Sequence, residues 1–329
     1  MRILLLRTRG EWAYGGLLYF YEFEQELAKK ADCIHAGPGW PLYREGETVD
    51  QTVKRIYGGD SPDWVIDRER VEILNPNRDY FVGHNLTDIH GRAGSNIGNP
   101  KDLLKVINTI GYDAVFMKAP YIYNCEVPPT YYIDHLQPKM FFLPYSIDPE
   151  KYYPRFPKKW DITFIGSSAS RYPFRESVKS ELPQFCEKHG FTVLIKHKGP
   201  RPCLYAAKQE NDPEFYVRDR YADALGRSRF FPFCGGIHGY PVQKYFEVPA
   251  SGCISLATKV LGVGDALGLV DGENYVEVTK SNWKKWLLYY DKNKDEAQHV
   301  IRNGRKLMLT RHTHEVRVQE FLKMLKTFK

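Results

Sequence analysis

Short apolar runs and longer mixed stretches follow one another along the chain, and together they predict alternating strands and helices. The apolar run at residues 2–6 is typical of a buried strand of a parallel sheet. A helix is predicted at 17–30 and a second strand at 33–36. This strand, helix and strand form the opening of a dinucleotide-binding type of fold.

The same alternation continues to the end of the chain. Further strands are predicted at 63–67, 80–83, 114–117, 140–143, 161–165, 192–195, 229–233 and 253–257. Further helices are predicted at 100–110, 131–135, 174–189, 216–226, 281–290, 294–309 and 315–326. Residues 37–60 are rich in glycine, proline and charge, and we expect a loop there.

The alternation predicts an α/β protein with two domains. Prolines and lysines cluster at residues 144–158 and mark a linker. We therefore expect a Rossmann-like domain over 1–150 and a second over 151–310, facing each other across a cleft. The last helix, within 311–329, is expected to cross back to the first domain. A length of 329 residues suits two domains.

Composition indicates an ordinary globular protein, with 43% hydrophobic and 26% charged residues. The six cysteines lie far apart without a C-x-x-C pair, which predicts reduced thiols rather than disulfides or a zinc site. The first apolar run is too short for a signal peptide and no run is long enough to span a membrane, so we expect a cytoplasmic protein. The formal charge of +7 suits phosphate-bearing ligands, but it is spread along the chain.

Residues 234–254 combine a glycine-rich loop with Lys244 and Glu247, which are three positions apart and share a face if the segment is helical. Backbone N–H groups of such a loop bind anions. A cation, a carboxylate and a phosphate cradle in one turn indicate a nucleotide site. The alternative is a solvated salt bridge on a surface helix.

Histidines supply the other candidate chemistry. His84, Asp88 and His90 are expected on a polar loop after a strand, where they would serve as a general base or acceptor contact, as metal ligands, or as a hydrogen-bonded loop. His312 and His314 are interpreted as a cap and packing element rather than a metal pair.

Residues 140–320 carry a series of short motifs. In chain order they are Phe164-Ile-Gly-Ser followed by Arg171, Tyr221-x3-Leu225, Lys244-x-Phe-Glu-x-Pro-Ala-x-Gly, Asp271-Gly-Glu-Asn-Tyr and Arg311-His-Thr-His. This set resembles the motifs of retaining GT-B glycosyltransferases, and the closest branch is the spore-maturation (CgeB-like) group within the glycosyl transferase family 1 set.

The resemblance implies transfer of a hexose from a nucleotide-diphosphate sugar to a hydroxyl acceptor, with retention of configuration and without a metal. It implies no cofactor, since the UDP- or GDP-linked donor is a substrate. Glu247 would accept the ribose hydroxyls from a position lining the crevice. Lys244 and the Gly166–Ser167 turn would bind the diphosphate, and Arg171, with Arg175 as a further candidate, would neutralise the leaving group.

The chain departs from the family pattern at two places. Gly239 stands where the wider superfamily has a glutamate eight positions before Glu247, and the adjacent His238 and Tyr240 become candidate donor contacts. The family's Arg-then-Lys pair after the first donor-domain strand is also missing, and Lys196 and Lys198 are possible substitutes.

Three functions stay open at this point. The first is a glycosyltransferase acting on a saccharide, protein or other hydroxyl acceptor, with His84, Asp88 and Arg171 as catalytic candidates. The second is a glycosyltransferase acting on a modified base in DNA, which would call for a continuous basic stripe that the sequence does not show. The third is a non-catalytic nucleotide-sugar-binding protein with the same fold.

Overall fold

A computed structural model describes residues 1–9, 15–67, 72–86, 100–123, 126–166, 170–196 and 216–328. Contacts divide the chain into two compact units. The first unit comprises Met1–Trp12, Phe23–Pro144 and Val318–Lys329, and the second comprises Ala13–Glu22 and Tyr145–Arg317. The sequence placed the division at residue 150.

The described elements follow the predicted alternation. The strands are β1 (Arg2–Leu6), β2 (Asp32–His35), β3 (Trp64–Asp67), β4 (Phe81–Leu86), β5 (Ala114–Met117), β6 (Lys139–Phe142), β7 (Trp160–Ile165), β8 (Val193–Lys196), β9 (Ser228–Phe233), β10 (Ile254–Ala257) and β11 (Val276–Glu277). The helices are α1 (Gly15–Ala28), α2 (Val49–Tyr57), α3 (Pro100–Ile110), α4 (Tyr131–His135), α5 (Pro173–His189), α6 (Arg218–Gly226), α7 (Lys244–Ala250), α8 (Gly264–Leu267), α9 (Trp283–Lys292), α10 (Lys294–Arg311) and α11 (His314–Leu325). No described helix has the length and hydrophobicity needed to cross a membrane.

The first unit is built on a six-stranded sheet in the order β2-β1-β3-β4-β5-β6. Every neighbouring pair is parallel. Helices cover both faces of such a sheet, so its strands are apolar on both sides. Val65 and Val115 pack with Ile107 of α3 in one cluster, while the Phe116 ring lies 4.8 Å from that of Phe321 in α11.

One predicted loop of the first unit contains a helix. Residues 49–57 form α2, and its N-terminus carries a capping box: Thr48 Oγ1 accepts the N–H of Gln51, and Gln51 Oε1 accepts the N–H of Thr48. The prediction of a loop over 37–60 is therefore wrong at this segment. The Thr-x-x-Gln signature marks a helix start, and the surrounding glycine and proline content obscured it.

The second unit is built on a five-stranded sheet in the order β11-β10-β9-β7-β8. Its described pairs are also parallel. The chain runs from β7 outward to β8 and then returns to β9 on the other side of β7. The strand order therefore reverses between β7 and β9, and ligands of open parallel sheets bind outside the carboxyl ends of the strands at such a point.

Helix α7 carries Lys244 and Glu247 in the second unit, and all seven of its residues are buried. The alternative of a solvated salt bridge on a surface helix is thus wrong. A helix packed on every side lies inside a domain, and a charge on it requires a polar partner there. The partners of these two charges define the candidate site.

Candidate functional site

Glycines follow both strands at the order reversal of the second sheet. Gly166 directly follows β7, and Gly235, Gly236 and Gly239 follow β9. Without side chains, these residues leave backbone groups accessible at the edge where the fold places ligands. The turn after β7 continues into Ser167, which lies outside the described residues.

Two buried cations converge on Gly166. A Cβ atom built on this glycine would lie 3.6 Å from Lys244 Nζ and 3.9 Å from Arg175 Nη1. Both cationic side chains belong to residues that are only 6% exposed. Two cationic side chains beside the backbone of a glycine turn create a positive potential that attracts an anion. This corner therefore suits a phosphate or diphosphate group.

Arg175 is held in place from two sides. Its Nη2 donates to the carbonyl of Cys234 at 2.6 Å, and its guanidinium lies 4.0 Å from the ring centroid of Tyr172. Its Nε is buried and has no hydrogen-bond partner among the described residues. These contacts fix the guanidinium of Arg175, the second candidate for the leaving-group contact, beside Lys244.

Glu247 lies at the centre of a buried polar cluster. Its Oε1 accepts the hydroxyl of Tyr152 at 3.1 Å and its Oε2 accepts that of Tyr221 at 2.8 Å. The residue is 3% exposed, which is more buried than expected for a side chain that lines an open crevice. A buried carboxylate needs such donors, and two tyrosines satisfy it here.

The cation and the carboxylate share one of these tyrosines. Lys244 Nζ donates to the Tyr221 hydroxyl at 3.4 Å, and the same ammonium lies 5.2 Å from the Tyr221 ring centroid. Burial, followed by the charge of Glu247, raises the pKa of Tyr221 and of Tyr152 well above the usual value. Both phenols therefore stay protonated and remain donors to Glu247.

The conformation and surroundings of Gly239 explain why the glutamate of the family pattern is absent at this position. Gly239 has φ +61°, and a Cβ at this position would lie 2.6 Å from the side chain of Leu261. The Leu261 N–H also donates to the Gly239 carbonyl at 2.7 Å. A glutamate would therefore be strained and would collide with Leu261, so this chain has no room for the first carboxylate.

The remaining predicted donor residues lie along this loop. Arg171 contributes its carbonyl, which accepts the N–H of Ile237 at 2.9 Å. His238 is buried, and its ring lies 6.3 Å from that of Tyr240. Lys196 ends β8 at the same edge of the sheet, whereas Lys198 lies outside the described residues.

The predicted acceptor-side histidine belongs to the first unit. His84 lies inside β4, where it pairs with Val115 of β5 and Asp67 of β3, so its placement on a loop is wrong. Its ring stacks on Tyr112 at 4.8 Å, and Nδ1 lies 3.9 Å from Asp67 Oδ2. Asp88 and His90 lie outside the described residues.

The histidine pair near the C-terminus is structural. His312 Nε2 donates to the Leu267 carbonyl at 2.9 Å, and Nδ1 accepts Arg317 Nη2 at 2.8 Å. His314 Nδ1 lies 2.9 Å from Ser146 Oγ. Within the described ranges, no group of three or more His, Cys, Asp or Glu side chains is arranged to hold a metal ion.

His312 gives the second unit a predicted sensitivity to acid. Burial lowers its pKa from 6.5 to about 4. The unfolded chain therefore binds a proton that the folded chain excludes, and stability falls as the pH drops from 6.5 towards 4. The loss approaches about 3 kcal/mol for this one group. Urea unfolding from pH 7.5 to pH 4.5 should show this slope in the wild type and a smaller one in His312→Gln.

The exposed His189 provides the matched control for this measurement. His189→Gln should keep the wild-type dependence of unfolding free energy on pH. Equal slopes in the wild type and in His312→Gln would contradict a buried neutral His312.

Sequence reasoning missed Tyr152 and underrated Arg175. Tyr221 stands in one of the motifs that carried the family resemblance, so a signal for it existed. Tyr152 lies in the predicted linker, 95 positions from Glu247, and no local pattern connects the two. Arg175 lies in the first turn of α5, and no local sequence pattern shows that its side chain lies near Gly166.

Comparison with known proteins supports this description of the second unit. A family model described as glycosyl transferase-like matches residues 186–323. This range contains α6, α7 and the strands from β8 to β11. A search of curated proteins returns no significant match. The similarity to glycosyl transferases therefore covers the greater part of the second unit.

Solved structures resemble the whole chain. A sucrose-phosphate synthase from Thermosynechococcus elongatus aligns with TM-score 0.69 and 12% identity over 99% of this chain and 98% of its own. HepE of Anabaena, solved with UDP and glucose, aligns with TM-score 0.65 and 12% identity over 100% of both chains. An alpha-glucosyltransferase solved with UDP and a 13-mer DNA aligns with TM-score 0.61 and 10% identity over 99% of this chain and 100% of its own. At these identities the likeness shows the fold, which is GT-B.

Proposed function

We propose that this protein is a glycosyltransferase that moves a sugar from a UDP-sugar to a hydroxyl acceptor. The observation that carries the proposal is the anion corner formed by Gly166, Lys244 and Arg175, with Glu247 one helical turn from Lys244. This corner lies at the order reversal of the second sheet, and Lys244 falls within the residues that the glycosyl transferase-like family model matches. Ligands of such sheets bind at this position.

Some of these residues would bind the donor, and others would stabilise the leaving group. The bond from the sugar's anomeric carbon to the diphosphate breaks, and its electron pair goes to the phosphate oxygen. Lys244 and Arg175 would stabilise that growing negative charge as preorganised cations. The acceptor oxygen forms the new bond to the anomeric carbon and passes its proton to a general base, for which His84 and Asp88 are the proposed candidates. Glu247 would accept the ribose hydroxyls of the donor.

Several finer assignments belong to this proposal. Arg171, the Gly166–Ser167 turn, His238, Gly239 and Tyr240 are proposed donor contacts, and His84 and Asp88 are proposed for the acceptor side. Retention of configuration, catalysis without a metal, a hexose as the sugar and the CgeB-like branch rest on the order of the sequence motifs. A cytoplasmic location rests on the separated cysteines, of which Cys33, Cys186, Cys234 and Cys253 are free thiols.

UDP is proposed as the nucleotide because two similar structures were solved with it. Thermal shift with UDP, GDP, ADP and dTDP tests this choice. UDP at a hundred times its dissociation constant should stabilise the fold by about 2.7 kcal/mol. UDP-glucose incubated without an acceptor should release UDP faster than in buffer. A protein whose melting temperature none of the four diphosphates changes would overturn the proposal.

A non-catalytic binder of nucleotide sugars is the second candidate. The geometry at Gly239 favours it, because the site has no room for the carboxylate that the superfamily has there. Such a protein would bind UDP in the thermal-shift test and would not accelerate UDP release from UDP-glucose or from other UDP-sugars.

A glycosyltransferase whose acceptor is DNA would bind duplex DNA, and its affinity would fall as the salt concentration rises.

A further inference from the structure

We propose that Tyr152 and Tyr221 are positioning residues that orient the carboxylate of Glu247 for the ribose of the donor. This inference rests on the function proposed above. The two phenols reach Glu247 from separate parts of the chain: Tyr221 from α6 and Tyr152 from the segment before β7. Each hydroxyl donates to a different carboxylate oxygen.

The hydrogen-bond capacity of the carboxylate leaves room for a ligand. An ionised carboxylate has about four acceptor positions, two on each oxygen. The two tyrosines occupy one position on each oxygen, so one position on each oxygen is left. Because both oxygens are held, the carboxylate plane is fixed, and the free positions point in fixed directions. A vicinal diol such as that of ribose presents two donors at a matching separation.

Burial makes this orientation effective. Tyr152, Tyr221 and Glu247 are 5%, 2% and 3% exposed, so bulk water does not compete for the carboxylate in the described structure. A carboxylate without the two phenols could rotate about its last bond and would lose its fixed direction. The contribution of a hydrogen bond to a ligand depends on such preorganisation.

Tyr221 also connects the carboxylate of Glu247 to Lys244 in the anion corner. Its hydroxyl accepts from Lys244 while it donates to Glu247. One phenol therefore sets the spacing between the proposed ribose contact and the proposed diphosphate contact. This spacing should match one nucleoside diphosphate, because ribose and phosphate are joined covalently.

The test compares UDP with 2′-deoxy-UDP by calorimetry in the wild type, Tyr152→Phe and Tyr221→Phe. A hydroxyl bonded to an oriented carboxylate should make UDP bind about tenfold or more tightly than the deoxy ligand in the wild type. Each phenylalanine variant should lower that ratio to about threefold or less. A purely structural role would weaken both ligands equally and would leave the ratio unchanged.

Tyr245→Phe is the matched control, since Tyr245 is a buried tyrosine of α7 whose hydroxyl donates to the Thr258 carbonyl at 2.6 Å. It should keep the wild-type ratio. Two separate tyrosines keep the test decisive if one variant fails to fold. Wild-type ratios in both folded variants would overturn the inference and leave the proposed function standing. UDP binding without any ribose preference in the wild type would also overturn it. A wild type that binds neither ligand would overturn the proposed function and the inference together.

Discussion

Glu247→Ala should unfold at a markedly lower temperature and should bind no UDP. The substitution removes the carboxylate that accepts the buried hydroxyls of Tyr152 and Tyr221. The loss of the acceptor for two buried donors costs about 2–4 kcal/mol. For a unit of this size, the melting temperature should fall by roughly 5–15 °C, which circular dichroism measures directly.

Glu247→Gln separates stability from binding. The amide has the shape of the carboxylate, and its oxygen still accepts one phenol while the other phenol turns to accept from the amide nitrogen. We therefore expect a small change in melting temperature and a loss of UDP affinity of about 10- to 100-fold. If Glu247→Ala melted like the wild type, the tyrosine contacts would not stabilise the fold.

Lys244→Met should lower turnover of the UDP-sugar by about 10²- to 10³-fold. Removing one preorganised donor from a developing negative charge typically has this effect, about 3–4 kcal/mol. Lys244 Nζ lies 5.2 Å and 5.7 Å from the ring centroids of Tyr221 and Phe231. These aromatic rings remain in the variant and can pack against the methionine side chain. Methionine has a similar length and no charge, so the fold should persist. Steady-state rates of UDP release measure the effect.

Lys158→Met is the matched control for this variant. Lys158 is half-buried, and its Nζ donates to the carbonyls of Gly226 at 2.7 Å and Gly252 at 3.1 Å. The control should lose stability but keep its rate per folded molecule. Equal losses of rate in the two variants would argue against a specific role for Lys244 at the leaving diphosphate.

Local sequence patterns predicted most of the fold. Apolar runs bounded by turn residues identify buried strands, and this is why β3, β5, β7 and β9 appear within one residue or so of their predicted bounds. Alternation with helices then requires parallel sheets with short crossovers. Helix α2 was missed because its capping signal is local and weak beside a glycine- and proline-rich composition.

The sequence by itself determined the two α/β domains, the order of the motifs and the importance of Lys244 and Glu247. Tertiary structure alone decided what those two residues contact. Glu247 meets Tyr152 from 95 positions away and Tyr221 from 26 positions away. Arg175 of α5 meets Lys244 of α7 beside Gly166. Such contacts depend on how distant segments pack, and neither spacing nor residue type within one segment encodes them.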